Sequence, residues 1–98
     1  MQFLITAFDG KDSEALTRRM NARPKHLEYV TKEKEAGRHI IGGAILDDDG
    51  KMIGSSMIVE YPSLEELQND WLKNEPYVTE KVWQDIDIKP FRIAEVFK

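Results

Sequence analysis

Two strand-like runs joined by a turn sequence lie in the middle of the chain, and they restrict the fold more than any other feature. Residues 39–46 are mostly apolar, and residues 51–61 carry apolar side chains at alternating positions. The turn between them ends in Asp49-Gly50, a dipeptide that is typical of tight hairpins. We therefore predict a β-hairpin at the centre of the sequence, with an antiparallel sheet built around it.

Before the hairpin, the sequence predicts one strand and two helical segments. Residues 2–8 are apolar and β-favouring, and they end at a turn sequence. Ser13 is a suitable N-cap for a short helical turn that reaches Met20. A longer helix is predicted over residues 24–36, because the proline at its start fits a first helical turn. Gly37 is the expected stop, since glycine readily adopts the left-handed conformation that follows a helix.

After the hairpin, the sequence predicts a helix, a break and a second, short helix. Ser63 and Glu66 have the spacing of a capping box. Three large apolar residues are expected to share one face of the first helix: Leu64, Leu67 and Trp71. Residues 74–77 interrupt this helix, and the proline within that stretch restarts a short helix that is predicted to run through Trp83.

The last predicted element is a strand that begins near Asp85, with its isoleucines alternating on one face. Pro90 is expected to shift this phase, so that the apolar positions move to Phe91 and Ile93. Because proline removes a backbone donor, this strand is predicted to lie at an edge of the sheet or to carry a bulge.

The order strand, helix, strand, strand, helix, strand is the ferredoxin-like βαββαβ pattern. We predict an α+β fold in which the helices cover one face of an antiparallel sheet. The length of 98 residues favours a single domain over residues 1–98. The second face of such a sheet needs a cover, and a second copy of the chain would supply it. A homodimer is therefore expected.

Composition and charge limit the partners of the chain. The net charge is −4 at pH 7, and Lys and Arg are mixed with Asp and Glu, so no basic stripe for nucleic acid is present. The absence of cysteines excludes disulfides, thiolate metal sites and a thiol nucleophile. No segment has the length of a membrane span, and the apolar start is too short for a signal peptide, so a cytoplasmic protein without membrane contact is expected.

Three titratable residues are candidates for chemistry. His26 lies in the first turn of the predicted helix, and an imidazole titrates in the range that proton transfer at neutral pH requires, although a purely structural histidine fits the position equally well. His39 begins a predicted strand. The two histidines are separated by thirteen positions and have no cysteine partner, so no metal site is expected. Glu75 differs from the other carboxylates because it lies in a break between helices.

Further candidates have structural alternatives. Ser55 lies in a polar interruption of an apolar strand, which places its hydroxyl either in a pocket wall or inside the sheet. Gly42 and Gly43 permit close backbone packing or a bulge. Four aromatic residues can either stack on an aromatic ligand or belong to the core or an interface: Trp71, Tyr77, Trp83 and Phe91.

Five short segments, taken in order, resemble the YciI-like family over nearly the whole chain. They are Arg23-Pro24-Lys25-His26-Leu27, Ala36-Gly37-Arg38, Gly54-Ser55-Ser56-Met57-Ile58-Val59-Glu60, Glu75-Pro76-Tyr77-Val78 and Ile88-Lys89-Pro90-Phe91. The resemblance implies a ferredoxin-like fold, a homodimer of the dimeric α/β-barrel type and a site built around a His–Asp pair. His26 matches the family histidine. The aspartate of the family's Asp-Pro-Tyr or Asp-Pro-Phe motif falls on Glu75, whose side chain is one methylene longer.

Two functions are compatible with these observations. In the first, a small-molecule enzyme uses His26 for proton transfer and Glu75 to orient it, in an elimination, isomerisation or tautomerisation of a cyclic or aromatic compound. One branch of the resembled family is associated with dehydrochlorination of a chlorinated hydroxyquinol. Arg23, Ser55 and Tyr77 would contact the substrate, and no metal or organic cofactor is required. In the second, a non-catalytic dimer binds a metabolite or a protein, with His26 and Glu75 as a structural pair.

Overall fold

Four strands form one antiparallel sheet in the computed structural model, which describes all residues from Met1 to Lys98. The strands are β1 (Gln2–Asp9), β2 (His39–Leu46), β3 (Met52–Glu60) and β4 (Trp83–Phe91). Their order across the sheet is β2-β3-β1-β4, and each neighbouring pair is antiparallel. With the helices on one face, this is the ferredoxin-like α+β fold, which confirms the predicted fold class.

A single helix, α1 (Ala15–Glu35), replaces the two helical segments that the sequence predicts before β2. Pro24 lies inside this helix, where it removes the hydrogen bond that a backbone N–H would donate to Met20. Met20 and Pro24 are both exposed, so the freed carbonyl lies on the solvent side, while the buried face around Ala22 continues past the proline. Neither α1 nor any shorter helix combines the length and the apolar character that crossing a membrane requires.

The start of α1 differs from the prediction. Ser13 makes no capping hydrogen bond, and Glu14, at the N-cap position, makes none with its side chain. The side chain of Asp12 instead accepts a hydrogen bond from the Glu14 backbone N–H at 3.3 Å. The loop before α1 is therefore fixed by an aspartate rather than by the expected serine.

The end of α1 confirms the predicted glycine stop. Gly37 has a φ of 81°, in the left-handed region. Its backbone N–H donates to the carbonyl of Lys34 at 3.0 Å, and the N–H of Arg38 donates to the carbonyl of Glu33 at 2.9 Å. These two bonds satisfy carbonyls that the last turn of a helix leaves free.

The helical region after β3 is divided into short pieces. They are α2 (Leu64–Glu66), a π-helical turn (Leu67–Trp71), α3 (Leu72–Asn74) and, after a break at Glu75, α4 (Pro76–Thr79). The predicted cap is confirmed, because Ser63 Oγ accepts from the Glu66 N–H at 3.1 Å. Leu67 and Trp71 are buried, but Leu64 is exposed, because the π-helical turn changes the angular spacing on which the predicted common face depends.

The chain enters β4 earlier than the sequence predicts. α4 ends at Thr79, and Trp83 already pairs with Asp9 of β1, so the predicted helix through Trp83 and the predicted strand start at Asp85 are wrong. The intervening Lys81 has a φ of 60°, and this left-handed residue ends the helix and turns the chain into the strand.

Pro90 lies on an edge strand, as predicted, but it does not shift the phase of β4. Pairing with β1 is regular from Asp85 to Phe91, and the only register shift lies at the other end, between Phe8 and Asp9. An edge strand can point the missing donor of a proline outward, so no bulge is needed. The predicted change of apolar positions is wrong for Phe91, which is exposed.

The two faces of the sheet differ in how they are covered. The face beneath the helices is buried and includes Phe3, Ile5, Ala7, Met57 and Val59. The opposite face, called the open face below, carries a set of apolar side chains of which none is fully buried: Leu4, Phe8, Ile41, Ile45 and Ile58. Ile41, Ile58 and Leu4 are neighbours on three adjacent strands, so the apolar side chains form a continuous patch.

A buried carboxylate fastens the end of α1 to the end of β3. Glu33 accepts hydrogen bonds from the hydroxyls of Tyr61 and Tyr29 and from Arg38 Nε, the last at 2.8 Å. Burial raises the pKa of Glu33, but the hydrogen bonds from Arg38 and the tyrosines more than offset this and leave it below the ordinary value. Burial also raises the pKa of the Tyr61 hydroxyl, so the tyrosine remains a donor.

We expect Gly37→Ala to lower the free energy of unfolding by about 1–2 kcal/mol, because a side chain at a left-handed position costs roughly that amount. Urea unfolding followed by circular dichroism measures the change. Gly43→Ala is the matched control, since a Cβ at Gly43 would meet nothing within 4 Å and its backbone is not left-handed. Equal effects of the two substitutions would contradict the assigned role of Gly37.

Candidate functional site

His26 of α1 and Glu75 of the break before α4 are in direct contact. His26 Nδ1 lies 2.6 Å from Glu75 Oε1, and the Glu75 side chain is 0% exposed while that of His26 is 14% exposed. With Oε1 as acceptor, as it is toward the Tyr77 N–H, the Nδ1 atom carries the proton and Nε2 is the free nitrogen of the ring. The contact joins two elements that are 49 positions apart in the sequence.

Local sequence explains why Glu75 points inward. The residue is the N-cap of α4, and its Oε1 atom also accepts the backbone N–H of Tyr77 at 3.1 Å. Pro76 occupies the first position of that helix, where its missing N–H costs nothing. The other carboxylate oxygen, Oε2, is buried without a hydrogen-bond partner. Only the two hydrogen bonds of Oε1 therefore offset the free-energy cost of burying this carboxylate.

Aromatic rings hold the imidazole in place. The rings of His26 and Tyr77 stack with centroids 3.8 Å apart and planes 6° from parallel. Trp83 meets both rings edge-on, at 6.0 Å from His26 and 5.3 Å from Tyr77, and Trp71 stacks on Trp83 at 5.6 Å. Three of the four candidate aromatic residues therefore support the site by packing within the protein. The fourth, Phe91, is exposed on the edge strand.

A second buried network lies beside the pair. Arg19 Nη1 donates to Asp9 Oδ1 at 3.0 Å, and both side chains are only 3% exposed. Arg19 Nη2 donates to Ser55 Oγ at 2.9 Å, and Trp83 Nε1 donates to the same oxygen at 3.2 Å. The guanidinium also lies 4.8 Å from the centre of the Tyr77 ring. Burial raises the pKa of Asp9 above its ordinary value, although the charge and hydrogen bond of Arg19 act in the opposite direction.

A cavity of about 270 Å³ opens between α1 and the sheet at this place. It brings together four of the five candidates from the sequence, Arg23, His26, Ser55 and Tyr77. Glu75 is not in the cavity wall and contacts two residues that are, His26 and Tyr77. Burial raises the pKa of the Tyr77 hydroxyl, so this residue is uncharged at neutral pH.

His39 lines the same cavity from β2. A Cβ on Gly42 would lie 2.9 Å from His39 Nε2, so the imidazole lies close over the Gly42 backbone, in space that a larger residue would occupy. Close packing at Gly42, one of the two predicted alternatives, is thus realised, whereas a side chain at Gly43 would meet open space. Burial lowers the pKa of His39 below the ordinary imidazole value, an effect larger than the opposing attraction of Glu75.

Sequence reasoning missed the buried ion pair between Arg19 and Asp9. It also missed that His39 lines the cavity. Arg19, Arg23 and His26 follow one another at helical spacing and share one face of α1. This signal is visible only if the helix runs through Pro24, and the prediction of two separate segments hid it.

A larger groove lies elsewhere and is lined by no arginine and no histidine. It has a volume of about 990 Å³ and runs along the loop after β1, where Lys11, Lys51 and Gln84 are among the lining residues. Neither histidine takes part in it. No cluster of three or more His, Asp or Glu side chains is arranged to hold a metal ion. The smaller cavity is therefore the candidate site, because both histidines and two arginines line it.

Fold and site together define a class of protein, a small ferredoxin-like α+β protein with a His–carboxylate pair at a cavity between helix and sheet. Within that class the chain belongs to the family of the YCII-related domain, whose family model matches residues 1–92. It is similar to Protein YciI of Escherichia coli O6:H1, with 34% identity over 98 aligned positions that cover 94% of this chain and 97% of that protein. The predicted family resemblance is confirmed.

Solved structures agree with this assignment. The chain is similar to 5-chloro-2-hydroxyhydroquinone dehydrochlorinase (TftG) from Burkholderia phenoliruptrix AC1100 in complex with 2,5-dihydroxybenzoquinone, with 26% identity, a TM-score of 0.82 and 98% of both chains covered. A dimeric ferredoxin-like protein from an uncultured marine organism shares the fold at 14% identity and a TM-score of 0.52, with 90% of each chain covered.

We expect Asp9→Asn to lower the free energy of unfolding by about 3–5 kcal/mol, because it leaves the buried Arg19 charge without its counterion. Thermal and urea unfolding measure the loss. Asp12→Asn is the matched control, since Asp12 pairs with Arg18 at 2.8 Å but lies at the surface, and its effect is expected to be much smaller. A small loss for both variants would show that the Asp9–Arg19 pair does not stabilise the fold.

Proposed function

We propose that this protein is an acid–base enzyme that transfers a proton on a small hydroxylated ring compound, with His26 as the catalytic base and acid and Glu75 as its orienting partner. The observation that carries the proposal is the 2.6 Å contact between His26 Nδ1 and a completely buried carboxylate. A carboxylate in this position selects the tautomer, holds the ring and stabilises the imidazolium that forms when Nε2 takes a proton.

The surroundings of the pair support this chemistry. The Tyr77 ring lies flat against the imidazole and fixes its plane, while the Glu75 contact fixes the direction of Nδ1. Arg23 and Ser55 line the same cavity and are proposed, with Tyr77, to contact the substrate. The cavity volume of about 270 Å³ suits a single small ring.

The first reaction to test is the loss of HCl from a chlorinated hydroxyhydroquinone, because a structurally similar protein is a dehydrochlorinase of such a compound. His26 would take a hydroxyl proton and deliver it to the ring carbon that bears chlorine. The carbon–chlorine bond then breaks, chloride leaves with the electron pair, and a second hydroxyl releases its proton. The products are a hydroxybenzoquinone and HCl, which balances the atoms of the substrate without any further reactant.

A second candidate function rests on a specific contact. Glu75 Oε1 also accepts the Tyr77 N–H, so the carboxylate caps α4 whether or not His26 does chemistry. In a non-catalytic dimer that binds a metabolite or a protein, the same pair would serve to tie α1 to the break before α4. The two functions differ in what the loss of the imidazole does.

We expect His26→Ala and Glu75→Gln to lower kcat for chloride release from 5-chloro-2-hydroxyhydroquinone by about 10²-fold or more, the usual contribution of a placed general base. Glu28→Gln is the matched control, because it makes the same charge change at an exposed position of α1. Chloride release and quinone absorbance follow the reaction. If the wild-type protein releases no chloride, dehydrochlorination is not its reaction. If it does release chloride and His26→Ala retains the rate, the dyad is not catalytic and the binding module is the better description.

We also propose that a second copy of the chain covers the open face, as in a two-fold dimer. The fold is shared with dimeric ferredoxin-like proteins, and the open face carries a continuous apolar patch with Ile41 64% exposed. A stable dimer needs about 800 Å² of buried surface from each partner, and a sheet face offers an area of that order.

We expect the wild-type protein to sediment as a dimer at micromolar concentration and Ile41→Glu to sediment as a monomer, because the substitution places a charge within the apolar patch. Analytical ultracentrifugation measures both. Leu64→Glu is the control, since Leu64 is an exposed leucine on the helical side of the molecule. A monomeric wild-type protein, or a dimer that Ile41→Glu leaves intact, would place the interface elsewhere or remove it.

A further inference from the structure

The charges around the cavity are of one sign in a chain whose net charge is −4. Fourteen residues line the cavity; two are arginines, two are histidines and none is an aspartate or glutamate. Arg19 is compensated by Asp9 behind it, and His26 is hydrogen-bonded to Glu75. Arg23 is exposed and takes part in no ion pair. Its positive charge at the cavity is therefore available for a ligand.

Ser55 adds a directional group to this charge. A hydroxyl has two lone pairs and one proton, whereas arginine and tryptophan side chains only donate. Because Arg19 Nη2 and Trp83 Nε1 both donate to Ser55 Oγ, both lone pairs of the serine are occupied. The serine proton has no acceptor among the protein's hydrogen bonds, although the residue is only 4% exposed and lines the cavity. Ser55 is thus fixed as a donor, and the acceptor that it lacks would be an atom in the cavity.

We propose that the cavity takes an ionised ring oxygen, an enolate or phenolate, with the Ser55 hydroxyl as its hydrogen-bond donor and Arg23 as its counter-charge. This inference rests on the proposed function, because it names the charge state of the substrate on which His26 would act. A neutral ring hydroxyl is a poorer ligand, since Ser55 cannot accept its proton. An ionised oxygen offers lone pairs alone and so matches Ser55 and Arg23, which only donate here, and hydrogen bonds to charged groups are the stronger ones.

In this arrangement different residues would bind the ionised oxygen and transfer the proton. Ser55 and Arg23 would hold one oxygen in its ionised form, which raises the electron density of the ring. His26 Nε2 remains available to move a proton at another position. His39, whose pKa burial lowers, is uncharged at neutral pH and adds no competing charge.

The test is equilibrium binding at pH 7, measured by isothermal titration calorimetry with two small ring compounds. The first is 2,5-dihydroxybenzoquinone, which is ionised at this pH because each hydroxyl is conjugated with a carbonyl. The second is resorcinol, a neutral ring diol. We expect the wild-type protein to bind the ionised compound at least tenfold more tightly. We expect Ser55→Ala and Arg23→Gln each to weaken that binding about tenfold or more, and resorcinol binding to change little.

Ser13→Ala is the matched control, because it makes the same change at an exposed serine before α1 that does not line the cavity. Its affinity for the ionised compound should equal that of the wild-type protein. Arg23 lies at the surface, so Arg23→Gln keeps the test valid if Ser55→Ala fails to fold. Equal affinities for the two compounds, or unchanged binding of the ionised one in Arg23→Gln and in folded Ser55→Ala, would overturn the inference.

The outcomes separate this inference from the proposed function. His26→Ala should abolish chloride release but retain the preference for the ionised compound. Tighter binding of the ionised compound without turnover of the chlorinated substrate would support the proposed anion subsite and contradict the proposed dehydrochlorination. Turnover that depends on His26, with equal affinity for the two compounds, would contradict the anion subsite and support the catalytic role of the His26–Glu75 pair.

Discussion

The completely buried carboxylate of Glu75 is the group on which the site depends. A carboxylate removed from water must be hydrogen-bonded or paired, because otherwise its burial costs several kcal/mol. Here one oxygen receives both the imidazole of His26 and the backbone N–H of Tyr77. The first contact ties α1 to the break before α4, and the second starts α4. Since Tyr77 follows two positions later, the same turn brings its ring against the imidazole.

A second network completes the site from the side of the sheet. Asp9, at the end of β1, pairs with Arg19, which in turn bonds Ser55 of β3 together with the Trp83 indole. Trp83 also packs edge-on against the His26 ring, so this one side chain contacts both networks. One cavity is thereby lined by α1, β2, β3 and α4, and its polar groups are held by packing and hydrogen bonds rather than by loops. Such support is what the proposed proton transfer would require.

Sequence reasoning was most accurate where local chemistry decides the structure. The hairpin after β2, the serine cap before α2 and the glycine after α1 each depend on residues a few positions apart, and all three are present. It was least accurate at the prolines. Pro24 continues a helix because the carbonyl it frees faces water, and Pro90 stays in register because an edge strand tolerates a missing donor. Solvent exposure and strand position decide both cases, and neither is visible locally.

The sequence by itself determined the element order, the family and the two residues that form the His26–Glu75 pair, because turn residues, caps and family motifs are read at short range. Only the tertiary structure decided that the pair touches, that Arg19 and His39 join the same cavity, and that Ser55 can only donate. Those facts depend on which donors meet an acceptor across distant elements: Ser55 lies 36 positions from Arg19 and 28 from Trp83. Long-range packing, which brings helix and sheet together around buried charges, supplies what residue order does not.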